Sequence, residues 1–154
     1  SDGRLAIMVG GDEAGFAAAR PVLEVLGGKV LHAGPIGAGT RFKLARNLMH
    51  FVAFTAATEA QRLAEAAGID LRALGDVVRY TDAITGGPGA IMHRETAAPI
   101  APDDFWFPIM DAVRILGEKD LGYAVELAHG YGVEVPLAEL ALQRLGAGLG
   151  VEGG

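Results

Sequence analysis

The sequence predicts a mainly α chain with one β-α-β unit at its N-terminal end, and three observations carry that prediction. Short apolar runs of strand length, bounded by glycine, stand only near the start, at Leu5–Val9 and Lys29–Ala33. Beyond Gly37 the composition shifts to long Ala- and Leu-rich segments with helical spacing and no further convincing strand. Those segments are punctuated by Gly68 as a stop and by Pro108 and Pro136 as starts.

The elements follow in order. Leu5–Val9 ends at Gly10 and Gly11 and reads as a buried strand. Asp12 caps a helix reaching about Leu26, with Glu13 in its first turn and Gly27-Gly28 closing it. Lys29–Ala33 is the second strand, and Gly34-Pro35 turns the chain out of it. Thr40–Ala67 is a long helix with Thr40 as its N-cap, and Asp70–Tyr80 is the next. Thr81–Phe107 is rich in Gly and Pro and long for a compact domain, with a short helix expected around Ala90–Glu95. Two helices close the chain, from Pro108 to about Tyr131 and from Pro136 to about Leu145. The expected division is 1–36 as the end of an α/β domain and 37–154 as an all-helical domain. A start at "SDGRLAIMVGG", without an initiator Met, is how an excised piece of a longer protein would begin.

Of the 154 residues, 51% are hydrophobic and 21% charged, the balance of a folded globular chain. A net charge of -6 argues against nucleic acid or an anionic membrane as the main partner. The absence of cysteine excludes disulfide and thiolate chemistry and fits a reducing compartment, so the expected location is cytoplasmic. The longest apolar stretch, Leu48–Thr58, contains His50 and falls well short of the roughly 20 residues a membrane span needs.

Familiar phosphate loops fail on inspection. Gly34 and Gly39 have P-loop spacing, but Thr40 stands where the lysine belongs. Gly37-Ala38-Gly39 begins a dinucleotide fingerprint, but Phe42 takes the third glycine's place. Asp12 and Glu13 at the first helix mouth repel a phosphate. The four histidines, His32, His50, His93 and His129, are scattered without ligand spacing. Ser1 is the only serine, which removes serine nucleophile chemistry.

What stands out is "GPIGAGTRFKLARN", Gly34–Asn47, where Arg41, Lys43 and Arg46 crowd the start of a helix that prefers acidic neighbours. Lys43 would occupy the third helical position after Thr40, where a capping box takes Glu or Gln. Lys43, Asn47 and His50 fall on one stripe at i, i+4 and i+7. The uncharged turns Leu48–Thr58 imply a central, buried helix. The positive end of the dipole opposes an ammonium there, the setting of a general acid/base, and Asn47 can hold a substrate oxygen. A solvated surface lysine is the plainer reading, and the residues alone leave the two open. Later, Ile109, Val113, Leu116, Asp120, Tyr123 and Leu127 form an apolar seam interrupted by one carboxylate, expected to be a buried structural ion pair or a helix cap.

These segments resemble the β-hydroxyacid dehydrogenases, the group of 3-hydroxyisobutyrate dehydrogenase and tartronate semialdehyde reductase. "GPIGAGTRFKLARN" is similar to their G-x-G-x-x-x-K-x-x-x-N segment. "LAIMVGGDEAGFAAARPVLEVLGGKVLHAGPIG" resembles the end of their cofactor domain, and "EKDLGYAVELAHGYGVEVPLAELA" their late K-D-L helix and its successor. The likeness runs from about Leu5 to Leu145. It implies a 6-phosphogluconate-dehydrogenase-like helical C-terminal domain preceded by a β-α-β remnant of a Rossmann domain. It implies NAD or NADP as cofactor and a small 3-hydroxy acid as substrate. Lys43 would be the catalytic lysine, Asn47 would orient the substrate, Lys119 would approach the cofactor, and Gly39 would let it come close. The helical domain would make a dimer or higher homo-oligomer.

Two departures accompany the resemblance. Arg46 replaces the first asparagine of the common Lys-x-x-Asn-Asn pattern, and the family's N-terminal half, with its main cofactor loop, is absent. Two rival readings are an imine reductase, whose architecture is shared but which generally lacks the lysine, and a non-catalytic helical dimerisation module.

Overall fold

The structure is a computed structural model and describes residues 5–151. It divides into two compact units, the first ending at Val52 and the second beginning at Ala53.

The first unit begins with β1 (Ala6–Gly10), α1 (Glu13–Leu26) and β2 (Lys29–Gly34). The strands pair in parallel, from Ala6 opposite Lys29 to Val9 opposite His32. The register then slips, so that Gly10 faces Gly34. Parallel strands need a crossover, and α1 supplies it. Asp12 starts α1 as expected, its carboxylate accepting from Gly15 N at 2.7 Å. His32 lies against α1, its ring stacked on Phe16 at 4.8 Å between centroids and its Nε2 2.8 Å from Gly11 O.

The long helix α2 (Ala38–Ala66) starts two residues before the expected Thr40 cap. Gly37 has φ +85°, a conformation that side chains resist, and its carbonyl accepts the first helical bond from Arg41 N at 3.1 Å. Lys43 therefore lies in the second turn, not at the capping-box position. The dipole effect fades within the first turn, so the helix start is less burdened than the sequence implies.

The expectation of a central, buried α2 is also corrected. Phe42, Leu44, Leu48, Phe51, Val52 and Phe54 are all exposed, Leu48 at 70%. An all-round apolar helix needs covering on every side, and the described residues do not supply it.

The second unit holds the rest of α2, then α3 (Leu71–Thr85), α4 (Phe107–Gly130) and α5 (Pro136–Leu149). Asp70 caps α3, its carboxylate accepting from Arg72 N at 2.7 Å and Ala73 N at 3.0 Å. Between α3 and α4, a single 3-10 turn covers Gly87–Gly89 and only turns follow, so the short helix expected at 90–95 does not form. The segment is nevertheless tied down. Arg94 Nη2 donates to Ala98 O at 2.7 Å, and Ile100 N donates to Gly150 O at 2.8 Å.

Ile100 thereby joins Met110, Leu149 and Val151 in a buried cluster, with Trp106, Phe107 and Leu145 packed against it. Helices α4 and α5 pack closely: a Cβ on Gly117 would stand 2.6 Å from Leu145 Cδ2. Arg114 bridges Asp111 and Glu118 along α4, each at 2.8 Å. Its hydrogen bond to Asp111, aided by the charges of Asp111 and Glu118, raises its pKa above the usual arginine value.

Glu59, near the end of α2, is the buried charged residue among those described. Its two carboxylate oxygens accept from Leu137 N at 2.8 Å and Ala138 N at 2.9 Å. Val135, the residue before α5, gives no side-chain cap, so Glu59 closes that helix N-terminus from 78 residues away.

Candidate active site

In the first unit, the turn from β2 into α2 sets the start of the helix, and the helix then sets its stripe. Gly39 is buried there, and a Cβ on it would lie 2.3 Å from Met8 O and 3.2 Å from Gly10 N. Glycine is thus required for α2 to start against the backbone of β1. The sequence assigned this residue to close cofactor approach; the geometry gives it a packing reason of its own.

One, two and three turns further on, Lys43, Asn47 and His50 follow at helical spacing. Lys43 is exposed, while Asn47 and His50 are half-buried. The His50 ring meets Phe51 edge-on at 5.6 Å. Arg46 is exposed and donates from Nη1 to Asn47 Oδ1 at 3.3 Å. In the sequence Arg46 stands out as one of three cations near the helix start and as a departure from a pattern; a contact between sequence neighbours on a helix carries no periodic signal.

Arg41, Lys43 and Arg46 make no ion pair among the described residues, whose pairs join Arg20 to Glu24, Arg79 to Asp76, Arg114 to Asp111 and Glu118, Lys119 to Asp120, and His129 to Glu139. The first acidic residue along α2 is Glu59, and its carboxylate is already engaged. A donor-rich, uncompensated edge of this kind suits an anionic ligand such as a carboxylate.

Lys119 belongs to the second unit, on α4. It is exposed, with Nζ 3.1 Å from Asp120 Oδ1. Asp120 is itself exposed, its side chain 61% accessible, so the buried carboxylate expected in the α4 seam is corrected. The seam also faces outward, with Leu116 at 56% and Tyr123 at 65% exposure. The periodicity of that seam is real; no described element covers it.

The helix mouths of the first unit offer a dinucleotide little. At α1 the mouth carries Asp12, already engaged as a cap, and Glu13, which oppose a pyrophosphate. At α2 the first turn is filled by its packing on β1. Among the described residues, neither helix mouth of the first unit leaves an open phosphate site. The second unit holds an apolar cavity of about 220 Å³ lined by Ala56, Ala60, Leu63, Leu121 and Ala138 around Glu59; with that carboxylate engaged, no reactive group points to chemistry there. Ser1, set aside above as a nucleophile, lies outside the described residues.

Residues 37–154 match the family model described as the NAD-binding domain of NADP-dependent 3-hydroxyisobutyrate dehydrogenase. An uncharacterised oxidoreductase of Mycobacterium tuberculosis is 54% identical over 97% of this chain and 50% of its own length. The 3-hydroxyisobutyrate dehydrogenase of Pseudomonas aeruginosa is 34% identical over 90% of this chain and 46% of its own. A crystal structure of a Mycobacterium avium 104 protein, provisionally classed as an oxidoreductase, superposes with a TM-score of 0.95 at 51% identity. It is covered over 55% of its chain by 98% of this one. The chain spans about half the length of the curated relatives it matches.

Proposed function

Because the chain belongs to the 3-hydroxyisobutyrate dehydrogenase family of NAD-binding oxidoreductases, we propose that it forms the substrate-side, helical part of an NAD(P)-dependent dehydrogenase of small 3-hydroxy acids. The observation that carries this reading is the Lys43–Asn47 stripe on α2, with Lys43 exposed and Asn47 half-buried, flanked by cations without carboxylate partners among the described residues. In this reading residues 1–36 are the end of a Rossmann domain and 37–154 a 6-phosphogluconate-dehydrogenase-like helical domain. The rest of the cofactor domain would correspond to the part of the relatives' length that lies outside the match. The protein acts in the cytoplasm as a dimer or higher homo-oligomer, and the exposed apolar faces of α2 and α4 suit such an assembly.

Each residue then has a task. The Lys43 amine takes the hydroxyl proton during oxidation and returns it during reduction. Asn47 donates to the same substrate oxygen and holds it one helical turn from Lys43. Lys119 approaches the cofactor side, and Gly39 keeps the start of α2 close to β1. The bound nicotinamide supplies the hydride acceptor or donor.

The experiment is nicotinamide reduction by the chain extended to the full length of its relatives, against a panel of short 3-hydroxy acids with NAD and NADP. Turnover with at least one acid is expected. A folded, nucleotide-binding protein that turns over none of them, yet reduces cyclic imines, would replace this reading with the imine-reductase one.

A further inference from the structure

Arginine differs from asparagine, the residue it replaces beside Asn47, in one decisive respect: its guanidinium has five N–H donors and no acceptor. The two ends of an asparagine amide are told apart only by their hydrogen bonds. With Arg46 Nη1 at 3.3 Å, the amide atom facing it must be the oxygen. Nδ2 is then turned the other way, with both of its hydrogens available to donate.

Adjacent residues on a helix project about 100° apart and do not face each other. The contact forms because the long Arg46 side chain reaches along the surface, and no described ion pair draws it elsewhere. Arg46 itself is exposed, while Asn47 is half-buried. The arginine thus lies outside the asparagine and braces it.

We propose that Arg46 is a positioning residue for the reaction: by holding Asn47 Oδ1 it fixes the amide so that Nδ2 donates to the substrate oxygen at which Lys43 exchanges its proton. The proposal rests on the dehydrogenase reading above. A second asparagine at 46 has an acceptor as well as donors and can hold the Asn47 amide either way round. Arginine removes that choice.

The test is a double-mutant cycle in the extended protein, using whichever 3-hydroxy acid the wild type turns over. Arg46→Ala is expected to lower kcat about tenfold, with KM and nucleotide affinity nearly unchanged. Asn47→Ala is expected to lower kcat by about a hundredfold. Adding Arg46→Ala to Asn47→Ala is expected to cost nothing more, because a brace without its asparagine has no task. Arg46→Lys, which keeps a donor, is expected to recover most of the loss. Additive losses, or a failure of lysine to recover activity that alanine removes, overturn the positioning role while leaving the dehydrogenase reading intact. A wild type without turnover, or one indifferent to Lys43→Ala, overturns both.

Discussion

Glu59 and Lys43 stand on the same helix, and the chain handles their charges in opposite ways. Glu59 is 4% exposed, and each of its carboxylate oxygens accepts a backbone N–H from the first turn of α5. Lys43 is exposed, sits among other cations and has no carboxylate partner among the described residues. A buried charge is tolerable only when satisfied, and Glu59 is satisfied entirely within the chain. Lys43 is left with its bonding capacity unused. Glu59 thus serves the fold, while the proposed function gives Lys43 a ligand to meet.

The largest expected effect breaks the comparison at its functional end. Lys43→Ala in the extended protein should lower kcat by about 10² to 10⁴, the usual worth of a general acid/base, with thermal stability and nucleotide affinity preserved. A lysine kept only for solubility would show no such loss.

The next two substitutions sharpen the structural side. Gly39→Ala forces a methyl group to within 2.3 Å of Met8 O, and backbone cannot yield as a side chain tip does. A loss of about 1–3 kcal/mol is expected, the cost of overpacking, read by urea unfolding. A stable Gly39→Ala protein with weakened nucleotide binding would instead return Gly39 to the cofactor role that the sequence implied. Glu59→Ala strands two part-buried N–H groups of α5 and should cost about 1–3 kcal/mol in the same assay. Turnover of the remaining folded protein should change little.

The smallest effect calibrates the rest. Arg79 pairs with Asp76 on the open surface of α3, with both side chains more than two-thirds exposed. Arg79→Ala should cost less than about 0.5 kcal/mol, because water screens such a pair. An equal loss from Arg79→Ala and Glu59→Ala would remove the distinction between satisfied burial and surface pairing.

Much of the fold was legible because its signals are local. Asp12 and Asp70 mark their helices by capping, and Gly10-Gly11, Gly68, Pro108 and Pro136 punctuate the chain close to where the elements end or begin. The start of α2 was misplaced by two residues because Gly37, at φ +85°, takes over a role that Thr40 was expected to play. Burial was misread where apolar composition alone stood for core. The uncharged turns of α2 and the seam of α4 look like core by composition, yet Leu48 and Tyr123 are open.

The site divides in the same way. Lys43 and Asn47, the residues proposed for the site, are picked out by helical spacing and by the cations around them. The cap from Glu59 to Leu137 and Ala138 joins residues far apart in the chain, and the brace from Arg46 to Asn47 depends on side-chain reach. No periodicity announces either one.

The most direct measurement of the central claim is amine rescue of Lys43→Ala in the extended protein. Methylamine and ethylamine are small enough to enter the space left by the lysine side chain and can carry the same proton. Turnover of the mutant should rise in proportion to the free amine, while the wild type is unaffected. A wild type that turns over its hydroxy acid, beside a mutant that keeps full activity or binds nucleotide yet gains nothing from any amine, would contradict the assignment of Lys43 as the proton-transfer group.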